Sequence, residues 1–294
     1  MILGVDLGTH SVKTSTKVKF LSKYTKGESF SESNKIVINN SVYNIGEGEF
    51  STDWDKSRKE NTLPLLYAAI YKSTQDCVNQ VVLGLPVQQY KQNRDKLIEL
   101  VSNTKCAKVN DRSIIITDVT VAPEGASCYY SLDLDTKRLI GEKQLIIIDI
   151  GGRTTDIIVF ENKKIIDVKT VSVGMLNIYQ QIIDYVNSKY TENLTLEDGE
   201  IVLKEGLFLD GEQKDIRFIQ PILKRNFDSI FKEVQLKYNV NKGYIYLTGG
   251  GGIILKRPFK NRLNNLIISK DSVFDNAIGS RKQVNLYGKN RCEF

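Results

Sequence analysis

One short pattern occurs twice in the chain, and its spacing limits what the chain can fold into. Ile2-Leu3-Gly4-Val5-Asp6-Leu7-Gly8-Thr9-His10-Ser11-Val12-Lys13 runs an apolar strand into an aspartate and a glycine turn. Leu145-Ile146-Ile147-Ile148-Asp149-Ile150-Gly151-Gly152-Arg153-Thr154-Thr155-Asp156 does the same. Aligning Asp6 with Asp149 also aligns Leu7 with Ile150 and Gly8 with Gly151, at an offset of 143 residues in a chain of 294. A single Asp-x-Gly hairpin is an ordinary turn signal. Two copies at half-chain spacing, each behind an apolar strand, imply two related lobes that open with the same β-turn-β unit. An aspartate ending a buried strand can hold a hydrated divalent cation. Turn glycines let backbone N–H groups approach phosphate oxygens with no Cβ in the way, and Ser11, Thr154 and Thr155 add hydroxyl donors.

Composition narrows the chemistry further. His10 is the only histidine, which excludes His-rich metal sites and argues against Ser-His-Asp or Cys-His catalysis. Chemistry is left to carboxylates, hydroxyls, backbone amides and a soluble metal ion. Cys77, Cys106, Cys128 and Cys292 form no CxxC pair and read as free thiols of a reducing compartment. No apolar run reaches the roughly 18–20 residues that span a bilayer, and MILGVDLGTHSVK carries no basic leader or cleavage site. A cytoplasmic protein without membrane contact is expected. The formal charge of +6 is spread along the chain, with small clusters at Lys256-Arg257 and Arg281-Lys282. It reads as a solvated surface rather than a nucleic-acid site.

Periodicity gives an α/β order. Strands are expected at 2–5, at 12–20 and in a hairpin over 36–48 that turns at Asn39-Asn40. A polar stretch over 49–62 leads to a helix with Leu63, Leu66, Ala69 and Ile70 on one face. A strand at 81–85, a helix at 90–101 and a strand at 114–121 follow, then a helix through Tyr129 and Tyr130. The second half offers strands at 145–148, 155–160 and 165–173 and a helix at 175–190 with Leu176, Tyr179, Ile183 and Val186 on one face. After a mixed region come a helix at about 219–238, a strand at 244–247 and a closing segment at 277–288.

Two more segments carry chemistry. Tyr244-Ile245-Tyr246-Leu247-Thr248 enters Gly249-Gly250-Gly251-Gly252, and Ile253 to Leu255 could open a helix. Alone this is either a flexible connection or a helix start aimed at phosphate; beside the paired loops it reads as the adenosine-side wall. Pro123-Glu124-Gly125-Ala126 places a carboxylate at a helix start. Glu124 is either a dipole-favoured helix residue or the group that orients a water for γ-phosphate hydrolysis.

Together these segments resemble the actin, sugar kinase and heat-shock chaperone ATPase superfamily. The matching elements are phosphate-1 (6–13), connect-1 (123–126), phosphate-2 (149–156), the adenosine motif (247–251) and connect-2 (276–279). Within it the chain looks most like bacterial plasmid-segregation actins of the ParM type, through the hairpin at 36–48, the leucine-rich helix after it and Pro-Glu-Gly-Ala. The resemblance implies a two-lobed, α/β, ribonuclease H-like duplicated fold with a nucleotide cleft between the lobes. The lobes would run 1–140, with a small insertion at about 30–62, and 141–272, with 273–294 returning to the first. It further implies ATP and Mg²⁺ as cofactors, with Asp6 and Asp149 holding the metal through water. Glu124 would position the nucleophile, Asp149 sharing in catalysis. Gly8, Thr9, Ser11 and Lys13 would meet β-phosphate, Gly151, Gly152 and Thr154 the other phosphates, and Gly249, Gly250 and Gly251 the nucleoside. Lys204 and Glu205 are candidates for the adenine contact. The implied activity is ATP-driven polymerisation into filaments that segregate a plasmid. A small DNA-binding adaptor at a centromere would be the partner, without direct DNA contact. A small-molecule kinase and a non-polymerising chaperone-like or membrane-tethered regulator are the alternatives.

Overall fold

Apolar strands pair side by side in both halves of the chain, and they do so in one shared order. The computed structural model describes residues 1–28, 34–51, 53, 55–58 and 60–287. The first half contains β1 (Ile2–Leu7), β2 (Ser11–Thr14), β3 (Lys19–Leu21), β4 (Tyr24–Lys26), β5 (Lys35–Ile38) and β6 (Ser41–Ile45). These are followed by α1 (Thr62–Ser73), β7 (Val78–Leu85), α2 (Val87–Ser102), β8 (Cys106–Val109), β9 (Arg112–Pro123), α3 (Cys128–Ser131) and α4 (Leu134–Ile140). The second half contains β10 (Leu145–Ile150), β11 (Thr155–Glu161), β12 (Lys164–Val171), α5 (Met175–Tyr190), α6 (Leu196–Glu205), β13 (Leu207–Leu209) and β14 (Glu212–Lys214). It ends with α7 (Ile219–Lys237), β15 (Tyr244–Thr248), α8 (Gly250–Arg262), β16 (Leu266–Ile268) and α9 (Asp275–Tyr287).

The larger sheet has the order β3-β2-β1-β7-β9-β8-β5-β6-β4, and the smaller one β12-β11-β10-β15-β16. The run β3-β2-β1-β7-β9 repeats the smaller sheet. In each, two antiparallel pairs reach a central strand and two parallel pairs leave it. Parallel neighbours require crossovers, which α1, α2, α5, α7 and α8 supply. β10 is buried at every position. Both its faces are covered by helices, so an unbroken Leu-Ile run replaces the alternation of a half-wet strand. Each isoleucine fully buried there contributes about 1.5–3 kcal/mol.

α9 returns to the larger sheet, packing on β1, β7 and α3. The approach to α3 requires a glycine: a Cβ at Gly279 would lie 1.9 Å from the Ser127 carbonyl oxygen. The Asn39-Asn40 turn forms as expected, both residues at positive φ (47° and 65°), joining β5 to β6.

Several expectations needed correction. The strand read over 12–20 is two strands, because the chain turns at Lys17 (φ 67°) and folds β3 back onto β2. The helix through Tyr129 and Tyr130 has four residues, and α4 follows it, with its N-terminus capped by the Asp133 carboxylate accepting from Thr136 N at 2.7 Å. α8 begins at Gly250 rather than at Ile253. The mixed region holds α6 and the β13–β14 hairpin. The polar stretch at 49–62 and the closing segment lie partly outside the described residues.

Candidate active site

The two repeat hairpins present their aspartates to one cavity between the sheets. Asp6 stands near the end of β1 opposite Lys13 of β2, and Asp149 stands near the end of β10 opposite Asp156 of β11. The register is the same, but the cross-strand partner has changed from a cation to an acid. Lys13 Nζ donates to Asp6 Oδ2 at 3.0 Å. Asp156 instead accepts from Thr170 Oγ1 at 2.5 Å. Glu124 follows β9 and turns into the same space.

Asn276 of α9 ties these parts together. Its Nδ2 donates to Asp149 Oδ2 at 2.6 Å, and its Oδ1 accepts from Gly125 N at 2.7 Å and from Cys128 Sγ at 3.1 Å. One amide therefore fixes both a candidate metal carboxylate and the turn that aims Glu124.

The electrostatics follow from burial. Asp6, Glu124, Asp149 and Asp156 are all buried. Desolvation pushes the Asp6 carboxyl up, but Lys13 and Lys56 together outweigh it and hold Asp6 below the ordinary carboxylate range. The same desolvation pulls the Lys13 ammonium down, yet Asp6 more than restores it. Burial raises Glu124 against the pull of Lys56. Burial also pushes Asp149 to about 7 despite the Asn276 hydrogen bond, and Asp156 to about 8 despite Thr170. Glu124, Asp149 and Asp156, crowded out of water, thus resist ionising together, and an added cation would relieve them.

The cavity is lined by Asp6, Gly8, Thr9, Lys13, Glu124, Asp149, Gly151, Gly152, Thr154, Gly249 and Gly250. Ser11 and Gly251, also candidates from sequence, are not among the lining residues. Gly251 instead lets α8 pack closely on Ile150. Lys204 pairs with Glu200, and neither it nor Glu205 reaches the cavity wall. Gly249 takes φ 79° and ψ 166°, and a Cβ there would lie 2.4 Å from Asp149 Oδ1. Only glycine lets β15 turn into α8 beside that carboxylate.

Sequence reasoning missed Lys56. It lies in a stretch without periodicity, and nothing local marks it. Its Nζ donates to Glu124 Oε1 and to Gly84 O (3.2 Å) and lies 3.7 Å from Asp6 Oδ1. Two contacts between the first half of the chain and α6 were also missed. Lys23 Nζ donates to Glu197 Oε1 at 2.5 Å, and His10 Nε2 lies 3.3 Å from Glu200 Oε2. His10 also stacks on Phe50, with ring centroids 5.3 Å apart. The cavity measures about 130 Å³.

Among the described residues, no group of three or more His, Cys, Asp or Glu side chains is arranged to hold a metal by itself. No helix among them is long and apolar enough to cross a membrane.

Comparison with known proteins agrees with this architecture. Residues 4–126 match the N-terminal domain of actin-like proteins, and residues 147–261 match the C-terminal domain of the archaeal MreB-like actin homologues. No curated protein matches the chain significantly. Among solved structures, the ADP complex of the archaeal actin homologue Ta0583 superposes with TM-score 0.84 at 17% identity, covering 97% of this chain and 99% of that one. A 15-stranded ParM filament from Clostridium botulinum gives 0.83 at 22% identity, with 97% and 99% coverage. The Alp12 filament gives 0.70 at 18% identity, with 97% and 98% coverage. At these identities the likeness shows the two-lobed actin-like α/β fold.

Proposed function

The chain belongs to the actin-like protein family, and from that premise we propose that it is an ATPase that binds Mg-ATP between its lobes and polymerises in response. The observation that carries this reading is the facing pair of buried aspartates, Asp6 and Asp149, each beside a glycine loop. The residues fit the group. Two carboxylates without a complete ligand cage suit Mg²⁺, which keeps water and takes phosphate oxygens as ligands. Asp6 and Asp149 would hold the hydrated cation, which supplies charge neutralisation at the phosphates. The loops at Gly8-Thr9 and Gly151–Thr154 would offer backbone N–H groups to phosphate, with Lys13 as a nearby cation. Gly249 and Gly250, at the start of α8, would face the nucleotide from the nucleoside side. Glu124 would accept a hydrogen bond from the attacking water and orient it.

Segments 1–140 and 141–272 would act as the closing lobes, with 273–294 returning to the first. Closure on nucleotide would favour head-to-tail assembly, a heterologous contact that extends into a filament. The ParM and Alp12 filaments among similar structures support self-association as the output. Plasmid segregation in the cytoplasm, through a small DNA-binding adaptor, is the role proposed for such a filament. The test is electron microscopy and pelleting of the purified chain with Mg-ATP. Filaments with Mg-ATP, persisting longer in Glu124→Ala, are expected. Their absence at tens of micromolar protein (roughly the range of weak interfaces) refutes assembly. Turnover stimulated by a sugar or carboxylic acid, and indifferent to protein concentration, would mark a kinase instead.

A further inference from the structure

The cation best placed to interfere with this site is one of the chain's own. Lys56 precedes α1, where Thr62 Oγ1 donates to the Lys56 carbonyl at 2.7 Å and fixes the backbone. From there the side chain, 5% exposed, runs inward to the acids at the ends of β1 and β9 in the larger sheet. Its ammonium meets the Glu124 carboxylate, the Gly84 carbonyl at 3.2 Å and the Asp6 carboxylate at 3.7 Å. A lysine buried this far costs free energy unless its charge is matched, and two acids match it.

Those two acids are the ones the proposed reaction needs. Lys56 takes up Glu124 Oε1 and draws charge from the carboxylate, which weakens its hold on an attacking water. Asp6 already holds Lys13 at 3.0 Å, so a hydrated divalent cation arriving there meets a second ammonium at 3.7 Å and repels the less tightly held one, Lys56. Loading the site with metal and nucleotide therefore favours a turn of Lys56 away from the carboxylates. Within a side chain's reach, the new anion is the terminal phosphate, which faces Glu124 if that residue orients the attacking water.

We propose that Lys56 is the sensor of the γ-phosphate: counter-ion of the acids in the empty cleft, and phosphate contact once a nucleoside triphosphate is bound. The inference rests on the nucleotide reading above and adds a residue to it. It also gives the site a way to report its state. The backbone that carries Lys56 leads directly into α1, so the two positions of the ammonium hold that segment differently with triphosphate and with diphosphate. Lys13, fixed on β2 by Asp6, has no such freedom and would serve both nucleotides alike.

The test is a fluorescence titration of the full chain with N-methylanthraniloyl-ADP and with the non-hydrolysable β,γ-imido triphosphate analogue. Both are measured in Mg²⁺, at protein concentrations too low for assembly. Lys56→Met keeps the stem and removes the charge. It is expected to weaken the triphosphate analogue by roughly 10- to 100-fold, the loss of a hydrogen bond to a charged group, and to leave the diphosphate unchanged or tighter. Unchanged diphosphate affinity doubles as proof of folding. Lys56→Arg should keep most of the preference, and Lys13→Ala should weaken both ligands together. Equal effects of Lys56→Met on the two nucleotides, or no effect on either, overturn the assignment while the nucleotide site stands. Failure of the wild-type chain to bind either nucleotide overturns the nucleotide reading and this inference with it.

Discussion

Replacing Gly249 and Gly250 one at a time by alanine separates two adjacent residues that look alike in sequence. Gly249 sits at φ 79°, ψ 166°, a region reserved for glycine, where another residue costs about 1–3 kcal/mol. Its added Cβ would also lie 2.4 Å from Asp149 Oδ1 and 2.4 Å from the Ile150 carbonyl oxygen. The second of these is backbone of the buried strand β10 and cannot swing aside, so overpacking adds about 1–3 kcal/mol. Gly249→Ala should therefore lose about 2–6 kcal/mol, a large share of the ~5–15 kcal/mol that holds a folded domain. Gly250 is the first residue of α8, and a Cβ there meets nothing within 4 Å. Gly250→Ala removes a helical glycine and should gain about 0.5–1 kcal/mol. Urea unfolding followed by circular dichroism reads both, as midpoints compared at equal slope. Nucleotide affinity measured in parallel should fall for Gly249→Ala, because Asp149 must move to admit the methyl group. Equal destabilisation by the two substitutions, or a Gly249→Ala chain within ~0.5 kcal/mol of wild type, refutes the reasoning.

Other outcomes follow from the same geometry. Glu124→Ala should lower phosphate release by about 10²–10⁴-fold while nucleotide still binds, and unchanged turnover would remove Glu124 from the mechanism. Gly279→Ala forces a Cβ to within 1.9 Å of the Ser127 carbonyl oxygen. It should cost about 1–3 kcal/mol and speed hydrogen exchange at Gly125 N, whose acceptor Asn276 moves with α9; an unaltered exchange rate would show that α9 can shift without dragging that contact. Glu200 is held at about 2, below its ordinary 4.5, by His10 first, against burial, and by Lys204. Its folded form binds the proton less readily, so the stability it contributes is complete above pH 4.5 and disappears as pH falls toward about 2. Glu200→Gln should lose ~1–2 kcal/mol at neutral pH, after discounting for partial exposure. The gap from wild type should close through that acid window in denaturation midpoints, and a gap independent of pH would show that the ion pair is not its source.

The duplicated hairpin was legible in sequence because its information is local. An apolar strand, an aspartate and a turn glycine occur within a dozen residues, and their repetition at Asp6 and Asp149 announces the doubled sheet before any contact is known. The Asn39-Asn40 turn and the 16-residue helix α5 were legible for the same reason, since turn chemistry and a 3.6-residue period are written in consecutive positions. The short elements α4, β13, β14 and β16 were not, because so few residues carry no periodic signal and are held by neighbours distant in the chain. The same limit applied within the site. Asp6 and Asp149 occupy equivalent registers, yet only the folded chain shows that one faces Lys13 and the other Asp156, so that lysines outweigh burial at Asp6 while burial raises Asp149. Lys56 lies 50 residues from Asp6 and 68 from Glu124, in a polar stretch with no pattern. Its charge acquires a meaning only where the tertiary fold takes it out of water and sets it between two carboxylates.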